Sequence, residues 1–197
     1  RLTEAKIKAD KFIKQLDALN DAQTDALTHD VNASDNIKDI TQIVNDASNL
    51  NEAMKTLQDT VNQLDQPTKN SINYQNADED LKLQFDHAIQ VAHDVLNKKD
   101  GSNLDIDIIN GMTQAIQDAK EALNGEQRLN DAQTKAHKAI DDTLKHQLDE
   151  INKANATDES KAQAKKAAED AAKEAHTNID HANSNKAVQT AKNDGTI

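Results

Sequence analysis

The chain has 197 residues, and 23 basic against 35 acidic side chains give it a formal charge of −12. That balance, with an aromatic share of 2%, argues against nucleic acid or an anionic membrane as a partner, because phosphates demand clustered Lys and Arg and bases demand aromatic faces. Four Gly, one Pro and no Cys exclude β-rich and disulfide-built architectures, whose turns and staples need those residues, and leave an all-α chain.

Leu, Ile, Val and Phe number only 38 against 29 Ala, so a core must come from strict patterning. Leu2, Ala5, Ala9, Phe12 and Leu16 recur at alternating steps of three and four, one stripe on a first helix. Asn20 followed by Gln23 has the spacing of a capping box and opens a second helix with Ala22, Ala26, Leu27 and Val31 inward. After a break at 33–36, Ile37, Ile40, Val44, Ala47, Leu50, Met54, Leu57, Val61 and Leu64 form one long stripe without Gly or Pro. The spacing predicts a single helix of 28 residues, about 42 Å long, stopped before Pro67 and shared by two neighbouring bundles.

Residues 66–75 read as a polar connection. Asn76 with Glu79 repeats the capping-box spacing and opens a helix carrying Leu81, Phe85, Ala88, Ile89, Ala92, Val95 and Leu96, which ends at the 98–101 turn. The next helix presents Ile108, Ile109, Met112, Ile116, Ala119 and Leu123. Gly111 weakens it by about 1 kcal/mol relative to Ala, and Asn124 with Gly125 punctuates its end. Leu129, Ala132, Ala136, Ile140, Leu144, Leu148 and Ile151 make the following stripe. A turn at 155–157 leads to an Ala-rich helix ending near Ile179 and Ala182. A short helix through Ala187, Val188 and Ala191 closes before Gly195.

Residues 1–14 align without gaps to residues 128–141, with identities at seven of fourteen positions. Such a repeat marks a modular array. Charge is divided unevenly, with −3 over residues 1–49, −8 over 50–127 and −1 over 128–197, so an electrostatic partner meets the middle module first. No apolar run reaches the 18 residues of a membrane span. The chain starts at Arg1 rather than Met and reads as an excised segment without a targeting signal of its own.

The middle section, with LNEAMKTLQDTVN, INYQNADEDLKLQFDHAIQVAHDVLNKK and INGMTQAIQDAKEALNG, resembles the FIVAR module of Gram-positive surface proteins. Tyr74, Asn76, Ala77 and Asp78, the Ala92, Val95, Leu96 ending, and the Ala122 to Gly125 close carry that likeness. LNDAQTDALTHDVNASDNIKDITQIV looks like the GA-type three-helix module, and ATDESKAQAKKAAEDAAKEAHTNIDHANSNKAVQTAKNDGTI resembles an array-type domain of unknown function. All three occur in the giant staphylococcal extracellular-matrix-binding proteins of the Ebh type. The resemblance divides the chain into 1–49 (GA-like), 50–127 (FIVAR-like) and 128–197 (array-type). It implies tandem three-helix bundles joined end to end by long or shared helices, an elongated rod and a monomer. It also implies a segment of a cell-wall adhesin whose relatives bind fibronectin, with serum albumin a further partner of some GA modules. Those albumin-binding modules carry aromatic side chains around their second helix. Residues 20–45 contain no Phe, Tyr or Trp, which argues against albumin here.

The chemistry of the remaining residues points away from catalysis. His87 with Asp94, His137 with Asp141, and His176 with Asp180 place imidazole and carboxylate at or near one helical face, a spacing that can hold zinc. None adds the further ligands a site needs and no HExxH is present, so these read as solvated surface histidines. Asp100, Asn103, Asp105 and Asp107 suggest calcium but lack the EF-hand spacing and final Glu, so capping and turn formation account for them better. Cys nucleophiles, phosphate loops and GxSxG turns are missing, and small Ala and Leu cores offer little pocket for a carboxylate pair. The sequence thus assigns no catalytic, cofactor-binding or metal residue and no cofactor, and it leaves the ligand-contacting face open. Phe12 and Phe85 fall on apolar stripes and read as core. Tyr74 lies off the stripes in a connection, either packing that loop or standing exposed as a contact.

Two readings follow for function. One is an adhesin segment binding fibronectin weakly through acidic helical faces, with strength from many copies. The other is a spacer that projects other regions from the wall.

Overall fold

The computed structural model describes residues 1–197, and it is all-α. Its helices are α1 (Leu2–Lys14), α2 (Asp21–Ala33), α3 (Ile37–Lys69), α4 (Ile72–Gln75), α5 (Glu79–Leu96), α6 (Ile106–Glu121), α7 (Gly125–Lys153), α8 (Asp158–His181) and α9 (Asn185–Gly195). They fall into two compact units. The first holds α1, α2, α3, α5 and α6, spanning residues 1–69 and 79–123. The second holds α4 with α7, α8 and α9, spanning residues 70–78 and 124–197.

In the first unit α3 is the axis, because it alone packs against α1, α2, α5 and α6. It does so with Ile40, Ala47, Leu50, Met54, Leu57 and Val61, all buried, which belong to the stripe read from the sequence. Each of these side chains except Ala47 stabilises the fold by roughly 1.5–3 kcal/mol when removed from water. The helix runs unbroken for 33 residues, across residues 49 and 50, and serves both the α1–α2 hairpin and the α5–α6 pair. From these come Ile13, Leu19 and Val31 on one side and Phe85, Ile89, Val95, Ile109 and Ile116 on the other, all buried.

The second unit is thinner. Its core consists of Leu129, Ala136, Ile140, Ala172, Ala175, Ile179, Val188 and Ala191, and the small residues let the helices approach closely. Gly195 shows how closely: a Cβ there would lie 2.5 Å from Ile140 Cδ1 and 2.6 Å from the Ala175 Cβ. Helix α4 packs on α7 at Gly125, where a Cβ would come 2.1 Å from the Asn73 carbonyl oxygen.

Several local expectations are corrected. Pro67 lies inside α3 and does not stop it before that residue. Its missing N–H and its ring act on the Gln63 carbonyl one turn earlier, so the cost falls near the helix end, at Lys69, and leaves the long upstream part intact. Residues 66–75 are largely helical rather than a polar loop, since α4 occupies 72–75. Asn76 does not cap α5. It is buried and instead donates from Nδ2 to the Ile72 and Asn183 carbonyls while its Oδ1 accepts from the Asn185 N–H. Gly125 begins α7 rather than ending the preceding element. Phe12 is 38% exposed and Ile13 takes the core position instead, a one-residue rotation that a stripe with many Ala residues leaves undetermined.

Candidate functional site

The FIVAR-like stretch supplies the lower part of α3 with α5 and α6 to the first unit, and α4 to the second. Both helices bury Phe85, Ile89, Ala92 and Val95, or Ile109 and Ile116. That fixes which residues face outward. Glu79, Asp80 and Asp94 on α5 and Asp107, Asp118 and Glu121 on α6 are exposed, so this surface carries six of the 14 acidic side chains of residues 50–127. Lys98, one of the few cations nearby, is spent internally, its Nζ donating to the Leu19 carbonyl at 2.7 Å. Charge on such an exposed surface acts over about 8–10 Å at physiological salt, enough to attract a basic partner but not to fix its orientation.

The α5–α6 connection is anchored to the start of α2. Asn20 and Gln23 form the expected capping box, with Gln23 N–H donating to Asn20 Oδ1 and Asn20 N–H to Gln23 Oε1, each at 2.9 Å. Asn20 does more than cap. Its Nδ2 donates to the Val95 carbonyl at 2.9 Å and the Ser102 carbonyl at 3.0 Å, so one buried amide closes the helix end and holds the 95–102 loop. Gly101 permits this approach, because a Cβ there would lie 2.6 Å from Asn20 Nδ2 and 2.4 Å from the Val95 oxygen. Capping was legible in the sequence; the second task of the same side chain was not.

The Asp100, Asn103, Asp105 and Asp107 group divides into turn and cap roles. Asp105 caps α6 by accepting from the Ile108 N–H at 3.0 Å, and Asn97 accepts from the N–H groups of Lys99 and Asp100. Phe85 is fully buried. Tyr74 sits half-buried in α4.

The histidines differ from the reading of solvated side chains. In the second unit His137 on α7 and His176 on α8 meet with their Nδ1 atoms 2.5 Å apart, and each is only 29% exposed. Their carboxylate partners lie across the helix pair, not along one helix: His137 Nε2 meets Asp180 at 2.6 Å and His176 Nε2 meets Asp141 at 2.8 Å. The 4.8 Å between ring centroids is the separation that two five-membered rings reach when their Nδ1 atoms face each other nearly head-on. All four ring nitrogens are thereby committed to hydrogen bonds, and the quartet is a polar clasp joining α7 to α8. His87, by contrast, is exposed, and Asp94 accepts from Gln90 instead. No group of three or more His, Cys, Asp or Glu side chains is arranged to hold a metal ion. On the outer faces of α7 and α8, Asp142 and Asp170 hold the Lys138 and Lys166 ammonium groups above their usual range, chiefly by a direct hydrogen bond and then by charge.

Comparison with known proteins agrees with this architecture. The GA module matches residues 1–53, the FIVAR domain residues 53–124, and the Domain of Unknown Function (DUF1542) residues 132–196. In this order the three models cover nearly the whole chain, which is similar to segments of Ebh-type proteins. The extracellular matrix-binding protein EbhA of Staphylococcus aureus strain Newman is 41% identical over 195 residues, 98% of this chain. The protein named Extracellular matrix-binding protein ebh from strain NCTC 8325 is likewise 41% identical over 98% of the chain. The chain spans only 6% of the first of these relatives and 2% of the second. Among solved structures, the EbhA 756-1003 domain from S. aureus aligns over 98% of this chain and 71% of its own length, with a TM-score of 0.75 and 27% identity. A structure described as concerning Embp-mediated adherence of Staphylococcus epidermidis to fibronectin aligns over 62% of this chain and 96% of its own, with a TM-score of 0.57 and 25% identity. The all-α fold and the GA and FIVAR assignments read from the sequence therefore stand.

Proposed function

We propose that this chain is a non-catalytic segment of a bacterial cell-wall adhesin that binds a host extracellular-matrix protein, fibronectin foremost. The observation that carries the reading is the kinship with matrix-binding relatives, joined to the acidic outer surface of α5 and α6. The monomeric segment binds weakly by itself. Tandem copies on one long protein raise the effective concentration, and avidity follows without any new contact. Albumin is disfavoured as a partner, because residues 20–45 offer no aromatic anchor.

Salt tests the electrostatic part. Binding of the chain to immobilised fibronectin should weaken as ionic strength rises from low to physiological, and binding indifferent to salt would remove the acidic surface from the account. The spacer reading draws on one specific feature, the unbroken α3 of 33 residues, which couples the α1–α2 hairpin mechanically to α5 and α6 whether or not either binds a ligand.

A further inference from the structure

A groove of about 740 Å³ runs between α5 and α6 on the side turned away from the buried core, walled by Ala88, Val91, Ile108, Met112, Ala115 and Ala119. Three features set it apart from the rest of the surface. Ile108 at its edge is 47% exposed, and Met112, a flexible side chain suited to variable partners, lies half-buried beside it. Gly111 also lines it, and a Cβ at that position would have nothing within 4 Å. A glycine inside a helix costs about 1 kcal/mol relative to Ala, and no neighbour in this chain uses the room it leaves. Exposed acidic residues flank the groove, Asp118 in its lining and Asp107 and Glu121 on the same helix.

We propose that this groove docks an amphipathic helix of a partner protein, with aliphatic side chains on its apolar face and Lys or Arg along its flanks. Two helices side by side present ridges into which a third helix packs at an axial distance of about 8–10 Å, and the missing Cβ of Gly111 admits the close approach. The all-helical chain offers no strand edge for an extended peptide to extend. A second copy of the chain is a poor occupant, because its charge of −12 would set acidic rim against acidic rim. The groove lies on the same acidic α5–α6 surface as the proposed matrix contact and so deepens that reading, while a peptide titration without fibronectin lets either idea fail alone.

The test uses a designed Leu and Lys amphipathic helical peptide, a scrambled peptide of the same composition, and a version with Glu in place of Lys. Titrated into the isotopically labelled chain, the amphipathic peptide should bind about tenfold more tightly than either control and shift the amide resonances of Gly111, Met112 and Ala115. Gly111→Leu, which fills open space and leaves the fold intact, should abolish the preference, and Met112→Lys should do the same by charge. Equal binding of the scrambled peptide, shifts confined to other surfaces, or an unchanged preference in both variants would each overturn the proposal.

Discussion

Replacing Asn20 tests whether one amide joins the α1–α2 hairpin to the α5–α6 loop. In Asn20→Ala the Gln23 N–H loses its cap, a cost of about 1 kcal/mol. The Val95 and Ser102 carbonyls also lose their shared donor, which adds on the order of 1–3 kcal/mol for buried groups left unpaired. The total of roughly 2–4 kcal/mol corresponds to about 10 °C in the melting temperature of a domain of this size. Two further variants divide the effect. Asn20→Ser keeps a capping oxygen and loses only the bridge, so it should fall between wild type and Ala. Asn20→Asp is an equally good cap in an isolated helix, yet here it turns a carboxylate oxygen toward two carbonyls, so it should be at least as damaging as Ala. Urea and thermal denaturation of the whole chain, followed by circular dichroism, reads all three. An Asp variant as stable as wild type would show that the cap is everything and that the bridge to Val95 and Ser102 adds nothing.

Other outcomes follow from the same geometry. Gly111→Ala should stabilise the first unit by about 1 kcal/mol, since its Cβ meets open space. Gly125→Ala should destabilise the second by about 1–3 kcal/mol, since its Cβ meets the Asn73 backbone; chemical denaturation should show opposite signs. His176→Ala removes the Nδ1 partner of His137 and the hydrogen bond to Asp141, and the second unit should lose about 1–2 kcal/mol while the first is unmoved in hydrogen exchange. Introducing Gly at Ser48 and Pro at Asn49 breaks α3 where it passes between its two sets of partners, at a cost of about 3 kcal/mol or more. Calorimetry should then resolve separate transitions for the α1–α2 and α5–α6 parts of the first unit, and a single undivided transition would refute the coupling role of α3.

The apolar stripes were legible because they are long. Ile40 through Val61 kept its 3.6-residue period over six turns, and Phe85, Ile89, Ala92 and Val95 did so with bulky residues, so the core faces of α3 and α5 emerge from sequence alone. In α1 the stripe is short and rich in Ala, and Phe12 against Ile13 was settled only by packing. The Asn20 capping box was visible as a local spacing, whereas the one read at Asn76 failed because a distant segment, residues 183–185, claims that side chain. Similarly, the carboxylate partners of His137 and His176 lie on opposite helices, 43 and 35 residues away. A sequence shows pairs along one helix and conceals those made by packing two together. The groove at Gly111 had a faint trace, a glycine in a helical pattern, but its openness depends on what α5 and α6 leave uncovered.

The central claim is matrix binding by this segment, and surface plasmon resonance on immobilised fibronectin, with serum albumin on a parallel surface, tests it most directly. The account predicts weak but saturable fibronectin binding by the free chain, strongly enhanced when many copies are displayed on one bead, and none to albumin. An absence of saturable binding to fibronectin, even from multivalent beads, would contradict it and leave the spacer reading in its place.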